Sequence, residues 1–130
     1  MENLTIIDSY TKQDAIQDGS QIDISSEPET KEAGFNCPVY LTSSVYELVK
    51  VPAGLVGMQD YKGRLWDLVY MAAQAFRAQK SELVKFSVYF TTNRTRRNKY
   101  GDQEHCQHKA NLWLMFNSAE GFTILRPEEY

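Results

Sequence analysis

The apolar pattern of the chain changes period once. Between Asp60 and Lys80, Leu65, Leu68, Val69, Ala72 and Phe76 recur at spacings of three and four, which places them on one face of a helix. Asp60 stands where an N-cap carboxylate accepts from the free amides of a first turn. Arg77 and Lys80 fall in the last turn, where cations oppose the negative helix end. From Leu83 to Thr91 the period drops to two. Val84, Phe86, Val88 and Phe90 point one way, and Lys85, Ser87, Tyr89 and Thr91 the other. Asn111 to Phe116 repeats this, with Leu112, Leu114 and Phe116 opposed to Trp113 and Met115; after a turn at 117–121, Phe122 to Leu125 gives a third strand. The spacing predicts one main helix over about 61–80, packed across the Val84, Phe86, Val88 and Phe90 face. Leu68, Ala72, Phe76, Phe86, Val88, Leu114 and Phe116 should be buried together. Residues 92–109 show no apolar periodicity and read as a long polar loop at a hairpin tip.

Ahead of the main helix the elements are short. Residues 4–7, Leu-Thr-Ile-Ile, make a candidate edge strand, and Thr11 to Gly19 a short helix that Thr11 caps and Gly19 stops. Residues 21–25 alternate as a brief strand. Ser26 is a cap candidate for a helix with Pro28 in its first turn and Gly34 at its end. Phe35 to Leu41 is extended, and Pro38 argues against a central strand position. Thr42 or Ser43 caps a further helix to Val49, and Val51 to Met58 is a loop by its proline and two glycines. Short helices followed by a three-stranded antiparallel meander, with short N-terminal strands added, give an α+β fold in a single domain over 1–130.

Charge alters this picture more than composition does. The net charge is −3, but residues 1–34 hold eight carboxylates against Lys12 and Lys31, while Arg94, Arg96, Arg97, Lys99 and Lys109 cluster against Asp102 and Glu104. Solvated faces of either sign are the commoner meaning of such a division. No apolar run approaches ~18 residues, which argues against a membrane span, and the N-terminus lacks the basic and apolar regions of a signal peptide. Cys37 and Cys106 are too few for a disulfide scaffold, so reduced thiols and a cytoplasmic setting are expected.

Three stretches carry candidate chemistry. On a helix, Arg64 and Asp67 lie three apart, so Arg64 could hold a phosphate or carboxylate beside Trp66 as a stacking plane. The plainer reading is a structural Arg–Asp pair with Trp66 in the core. Arg94, Arg96, Arg97 and Tyr100, with Tyr89 and Trp113 on the outer sheet face, could contact a nucleic-acid backbone or a partner protein. The plainer alternatives are a solvated tip, and a Trp113 covered by residues 1–25 folding back. His105, Cys106 and His108 are zinc-ligand types, but three ligands within four residues do not wrap one tetrahedral ion, so no metal or other cofactor is expected. Cys106 beside a histidine is a nominal nucleophile–base pair, yet neighbours on an extended strand point to opposite faces.

The ordered motifs Ala15-Ile16-Gln17-Asp18-Gly19, Ile22-Asp23-Ile24-Ser25, Glu32-Ala33-Gly34-Phe35 with Pro38-Val39, Gly63-Arg64-Leu65-Trp66-Asp67 and Ile124-Leu125-Arg126-Pro127-Glu128-Glu129 resemble a family of small uncharacterised proteins carried by bacterial plasmids, phages and other mobile elements. The resemblance spans residues 15–129 and implies context rather than an activity. Two departures stand out: members usually have tryptophan where this chain has Tyr70, and they lack the Arg- and His-rich segment between the sheet strands. With no convincing acid/base or nucleophile constellation in the sequence, the reading is a non-enzymatic accessory protein of a mobile element that binds a host macromolecule or small ligand, and the context the resemblance implies adds inhibition of a host defence system as one role. A nucleic-acid-binding module using residues 93–100 is the alternative, and a small enzyme the second. A homo-oligomer is compatible with each.

Overall fold

The computed structural model of the chain describes residues 12–57 and 59–130. The elements run α1 (Lys12–Gln17), β1 (Gln21–Asp23), α2 (Pro28–Glu32), β2 (Val39–Thr42), α3 (Ser43–Val49), a 3-10 turn (Ala53–Leu55), α4 (Tyr61–Gln79), β3 (Leu83–Arg97), β4 (Gln103–Asn117), β5 (Gly121–Leu125) and a last 3-10 turn (Pro127–Glu129). The fold is α+β with one main helix, as the change of period predicts. The sheet is larger than a three-stranded meander. Its order is β1-β2-β5-β4-β3, and β2 runs parallel to β5 while every other pair is antiparallel. The apolar run at 4–7 lies outside the described residues.

Pro38 does not keep its segment at an edge. It precedes β2, and its carbonyl accepts from Phe122 N at 2.8 Å, which extends the β2–β5 ladder by one bond that needs no proline N–H. Gly121 makes this approach possible: its φ is +97°, and a Cβ there would collide with the Pro38 carbonyl. Parallel pairing of segments about eighty positions apart leaves no local trace, which is why β2 reads from sequence as an isolated extended stretch.

The core fills the space between α4 and one sheet face. Leu65, Leu68, Val69 and Ala72 of α4 meet Val84, Phe86, Val88 and Phe90 of β3, Leu112 and Leu114 of β4 and Ile124 of β5. Phe76 and Phe116, expected inside, are only half-buried. They line an open depression of about 480 Å³ with Arg77, Lys80, Ser81 and Glu82, where the end of α4 diverges from the sheet. Asp60 caps α4 as predicted, accepting from Gly63 N at 2.8 Å, and Thr42 caps α3 by accepting from Val45 N at 3.4 Å. At α2, Glu27 holds the cap position instead of Ser26 and makes no side-chain cap bond.

The largest departure is at residues 92–109. They form no loop: β3 and β4 are each 15 residues long and pair as one hairpin whose turn spans only residues 98–102. Since β5 pairs with β4 only from Trp113 to Asn117, the outer half of the hairpin is a two-stranded ribbon projecting from the sheet.

Candidate functional site

In an antiparallel pair, directly opposed residues share a face, and successive residues along each strand point to opposite faces. The β3–β4 register therefore sorts the ribbon. One face carries six opposed pairs: Lys85 with Trp113, Ser87 with Asn111, Tyr89 with Lys109, Thr91 with Gln107, Thr95 with His105, and Arg97 with Gln103. Two hydrogen bonds tie partners across it, Ser87 Oγ to Asn111 Oδ1 at 2.8 Å and Gln107 Nε2 to Thr91 Oγ1 at 2.9 Å. This strip holds cations, amides, hydroxyls, an imidazole and two aromatic rings, and no carboxylate. It runs about 33 Å, at ~3.3 Å per residue.

A bulge interrupts the ladder without changing the faces. Between Thr91 and Thr95 the register shifts, so that β3 spends more residues than β4 there. Thr92 Oγ1 donates to the Cys106 carbonyl at 2.8 Å, and His105 Nδ1 lies 3.1 Å from the Thr92 carbonyl. Beyond the bulge, Arg97 falls on the same face as Lys109 and Lys85. Arg96 falls on the other face, opposite Glu104, with Nη2 to Oε2 at 2.9 Å. Arg94 belongs to the bulge, and Tyr100 stands at the turn, highly exposed. Arg97 Nη1 donates to the Gly101 carbonyl at 2.7 Å, which steadies the turn.

At the sheet end of the strip, Trp113 is engaged. Lys85 Nζ lies 5.3 Å from its ring centre, and Tyr130 meets it edge-on at 5.0 Å. The covering group is thus the C-terminal turn; residues 1–11, part of the segment expected to cover Trp113, lie outside the described residues. Glu129 anchors that turn by accepting from Thr42 Oγ1 at 2.9 Å, Ser44 Oγ at 2.8 Å and Arg126 N at 2.7 Å. Burial alone would raise the Glu129 carboxyl. The Arg126 amide, the two hydroxyls and the Arg126 charge outweigh it and hold the carboxyl below the ordinary glutamate value.

Gly63-Arg64-Leu65-Trp66-Asp67 serves the fold first. Arg64 is buried at 6% exposure, so it does not reach the exposed side of α4 with Asp67. Its guanidinium donates to the Leu48 carbonyl through Nε (3.2 Å) and Nη2 (2.8 Å), and through Nη1 to Gln59 Oε1 (2.8 Å) and the Thr91 carbonyl (2.9 Å). It also lies 4.9 Å from the Phe90 ring centre. One side chain thereby joins the end of α3, the start of α4 and the root of the ribbon. Burial lowers the Arg64 pKa, partly offset by the charge of Asp67. Gly63 leaves room for the cap, since a Cβ would stand 2.9 Å from Asp60 Oδ1. Trp66 is half-buried and stacks on Tyr70 at 5.3 Å, and Asp67 is exposed. Burial raises the Asp67 carboxyl, and Arg64 offsets this only in part. Trp66 and Asp67, with Gly57, Gln59, Asp60, Gly63 and Arg64, line a depression of about 560 Å³.

Cys37 and Cys106 are free thiols, the first exposed and the second half-buried. No group of three or more His, Cys, Asp or Glu placed to hold a metal occurs among the described residues. No helix among them is long and apolar enough to cross a membrane.

A family model described as a family of unknown function, DUF6573, matches residues 1–98. The chain belongs to this family. No curated protein and no solved structure matches the chain. The DUF6573 match takes in α4 and β3 and ends at the ribbon turn, so β4 and β5 lie beyond it.

Of the residues singled out from sequence, Tyr89, Arg97, His105 and Trp113 share the strip, while Cys106 and His108 do not. Arg96, Arg94 and Tyr100 lie off it on the same hairpin, and Arg64, Trp66 and Asp67 form a separate region on α4. Lys85 and Lys109 complete the strip with Gln103, Gln107 and Asn111. Their signal in this DUF6573 chain is the alternation Gln103, His105, Gln107, Lys109, Asn111, Trp113, which is chemical rather than apolar and therefore invisible to a hydropathy pattern.

Proposed function

We propose that this protein is a non-enzymatic nucleic-acid-binding protein that works through the outer face of the β3–β4 ribbon. The observation that carries the reading is the absence of any carboxylate from the six opposed pairs between Lys85–Trp113 and Arg97–Gln103, in a chain of net charge −3. Lys85, Lys109 and Arg97 supply phosphate contacts, and the Asn111 and Gln107 amides, each with one hydrogen bond made within the strip, leave a donor and an acceptor for base edges. The Arg96–Glu104 pair is exposed and worth only ~0–1 kcal/mol, so it opposes rearrangement of the tip little. The resemblance to plasmid and phage proteins suggests that such binding serves a mobile element, including action against a host defence.

The test is anisotropy titration of labelled oligonucleotides over a range of salt concentration. With three strip cations engaged, log Kd should change with log salt with a slope of about 2–3. The combined Lys85→Glu, Lys109→Glu, Arg97→Glu variant should keep its fold and lose binding. Equal binding by that variant would overturn the reading. A second reading, binding of a host protein or small ligand, is favoured by one observation: Tyr70 and Met71 are 41% and 40% exposed on α4 beside the Trp66–Asp67 depression. Recovery of one protein from nuclease-treated host lysate, abolished by Tyr70→Ala with Met71→Ala, would favour it.

A further inference from the structure

We infer that the strip takes a single strand rather than a duplex, with Tyr89 as the platform on which one base stacks; this deepens the nucleic-acid reading and rests on it. Tyr89 is 58% exposed in the middle of the strip. It faces Lys109 directly, and Lys85 lies two pairs away on the same face. Its ring has no aromatic or hydrogen-bond partner among the described residues, unlike Trp113, which is held between Lys85 Nζ and Tyr130. Tyr89 is thus the free ring of the strip. Tyr100, though exposed, lies in the turn beyond the last pair.

A duplex offers base edges, methyl groups and phosphates to such a surface, but its base faces are stacked on one another. A central exposed ring then meets only sugar or groove wall. An unstacked strand offers a base face to the ring and a phosphate to each neighbouring cation. That pairing of stacking with a cationic track is how sequence-tolerant single-strand surfaces work. The strip's remaining groups fit the same ligand. Asn111 accepts from Ser87 through Oδ1, which leaves its amide N–H groups for a base edge. Gln107 donates to Thr91 through Nε2, which leaves its carbonyl oxygen. A donor is thus available on one side of the Tyr89–Lys109 pair and an acceptor on the other.

The experiment uses the full chain with four probes of matched length: oligo-dT, oligo-U, a mixed-sequence single strand, and its blunt duplex. A single strand should bind more tightly than the duplex, and oligo-dT against oligo-U separates DNA from RNA as its source. Tyr89→Ala should weaken single-strand binding by about tenfold or more and leave duplex binding nearly unchanged, with an unaltered melting temperature. Tyr89→Phe and Tyr89→Trp should restore it, since the ring and not the hydroxyl is used. Duplex binding as tight as single-strand binding, or a Tyr89→Ala variant that binds like the parent, overturns the inference while the nucleic-acid reading stands. No salt-sensitive binding to any probe overturns both.

Discussion

The Gly63–Asp67 turn of α4 and the ribbon beyond Thr91 look alike in sequence, each a short arginine-bearing stretch with an aromatic, yet they use arginine in opposite ways. Arg64 is buried, with four hydrogen bonds to backbone and a glutamine, so little of it remains for a ligand. Arg97 stands on an exposed face that the register clears of carboxylates. A dense local motif can mark a structural joint, and a dispersed one a surface. Hydrogen-bond saturation and cross-strand register, not residue type, separate the two cases.

The sharpest test of the first half of this contrast is removal of the joint. Arg64→Ala leaves the Leu48 and Thr91 carbonyls without their donor and should cost about 3–5 kcal/mol in urea unfolding. Arg64→Lys should recover only part of this, because an ammonium cannot span three acceptors in one plane. A loss below ~1 kcal/mol would mean that the guanidinium is not what joins α3, α4 and β3. Phe86→Ala should cost about 3 kcal/mol by opening a cavity under α4. An unchanged melting temperature there would mean that the sheet faces are assigned backwards, and the outer strip with them.

The next effect is a pH dependence at the sheet end of the strip. Glu129 has a folded pKa below its unfolded value, so its contribution is present above the unfolded pKa of ~4.3 and is lost as pH falls through the folded pKa. In a Trp66→Phe background Trp113 is the sole tryptophan. Its fluorescence should change below about pH 4.3 as Tyr130 releases it, and Glu129→Gln should remove that change. An identical acid limb in both proteins would show that Glu129 does not hold the turn. The smallest effect belongs to Asp67. Its folded pKa is raised, so the charged form disfavours folding, and Asp67→Asn should stabilise slightly at neutral pH, by no more than ~0.5 kcal/mol. A clear destabilisation would mean that its carboxylate makes a favourable contact.

What was legible in the sequence follows the same division. The Asp60 cap, the apolar stripe of α4 and the inward positions of β3 and β4 all carry a strong local period, and all lie on the faces expected, though Phe76 and Phe116 are only half-buried. β2 in the sheet interior was not legible, because its partner β5 is remote and parallel. The ribbon was not legible because both its faces are polar, so alternation there gives no apolar contrast. Plain alternation from Tyr89 separates Arg96 from Arg97; what no apolar contrast reveals is that the strand continues through the bulge at 92–94 to Arg97. The burial of Arg64 had no local signal either, since its acceptors come from three separate segments.

That assignment of faces is the point on which the functional reading turns, and the most direct measurement compares two neighbours. Arg96→Gln and Arg97→Gln remove the same charge from adjacent positions of the same strand. Single-strand binding should be followed for both across a salt series. Arg97→Gln should weaken binding and lower the salt slope by about 0.7, one phosphate contact on a single strand, while Arg96→Gln should leave the slope nearly unchanged. Equal losses from the two would contradict the strip and leave only the overall charge of the ribbon.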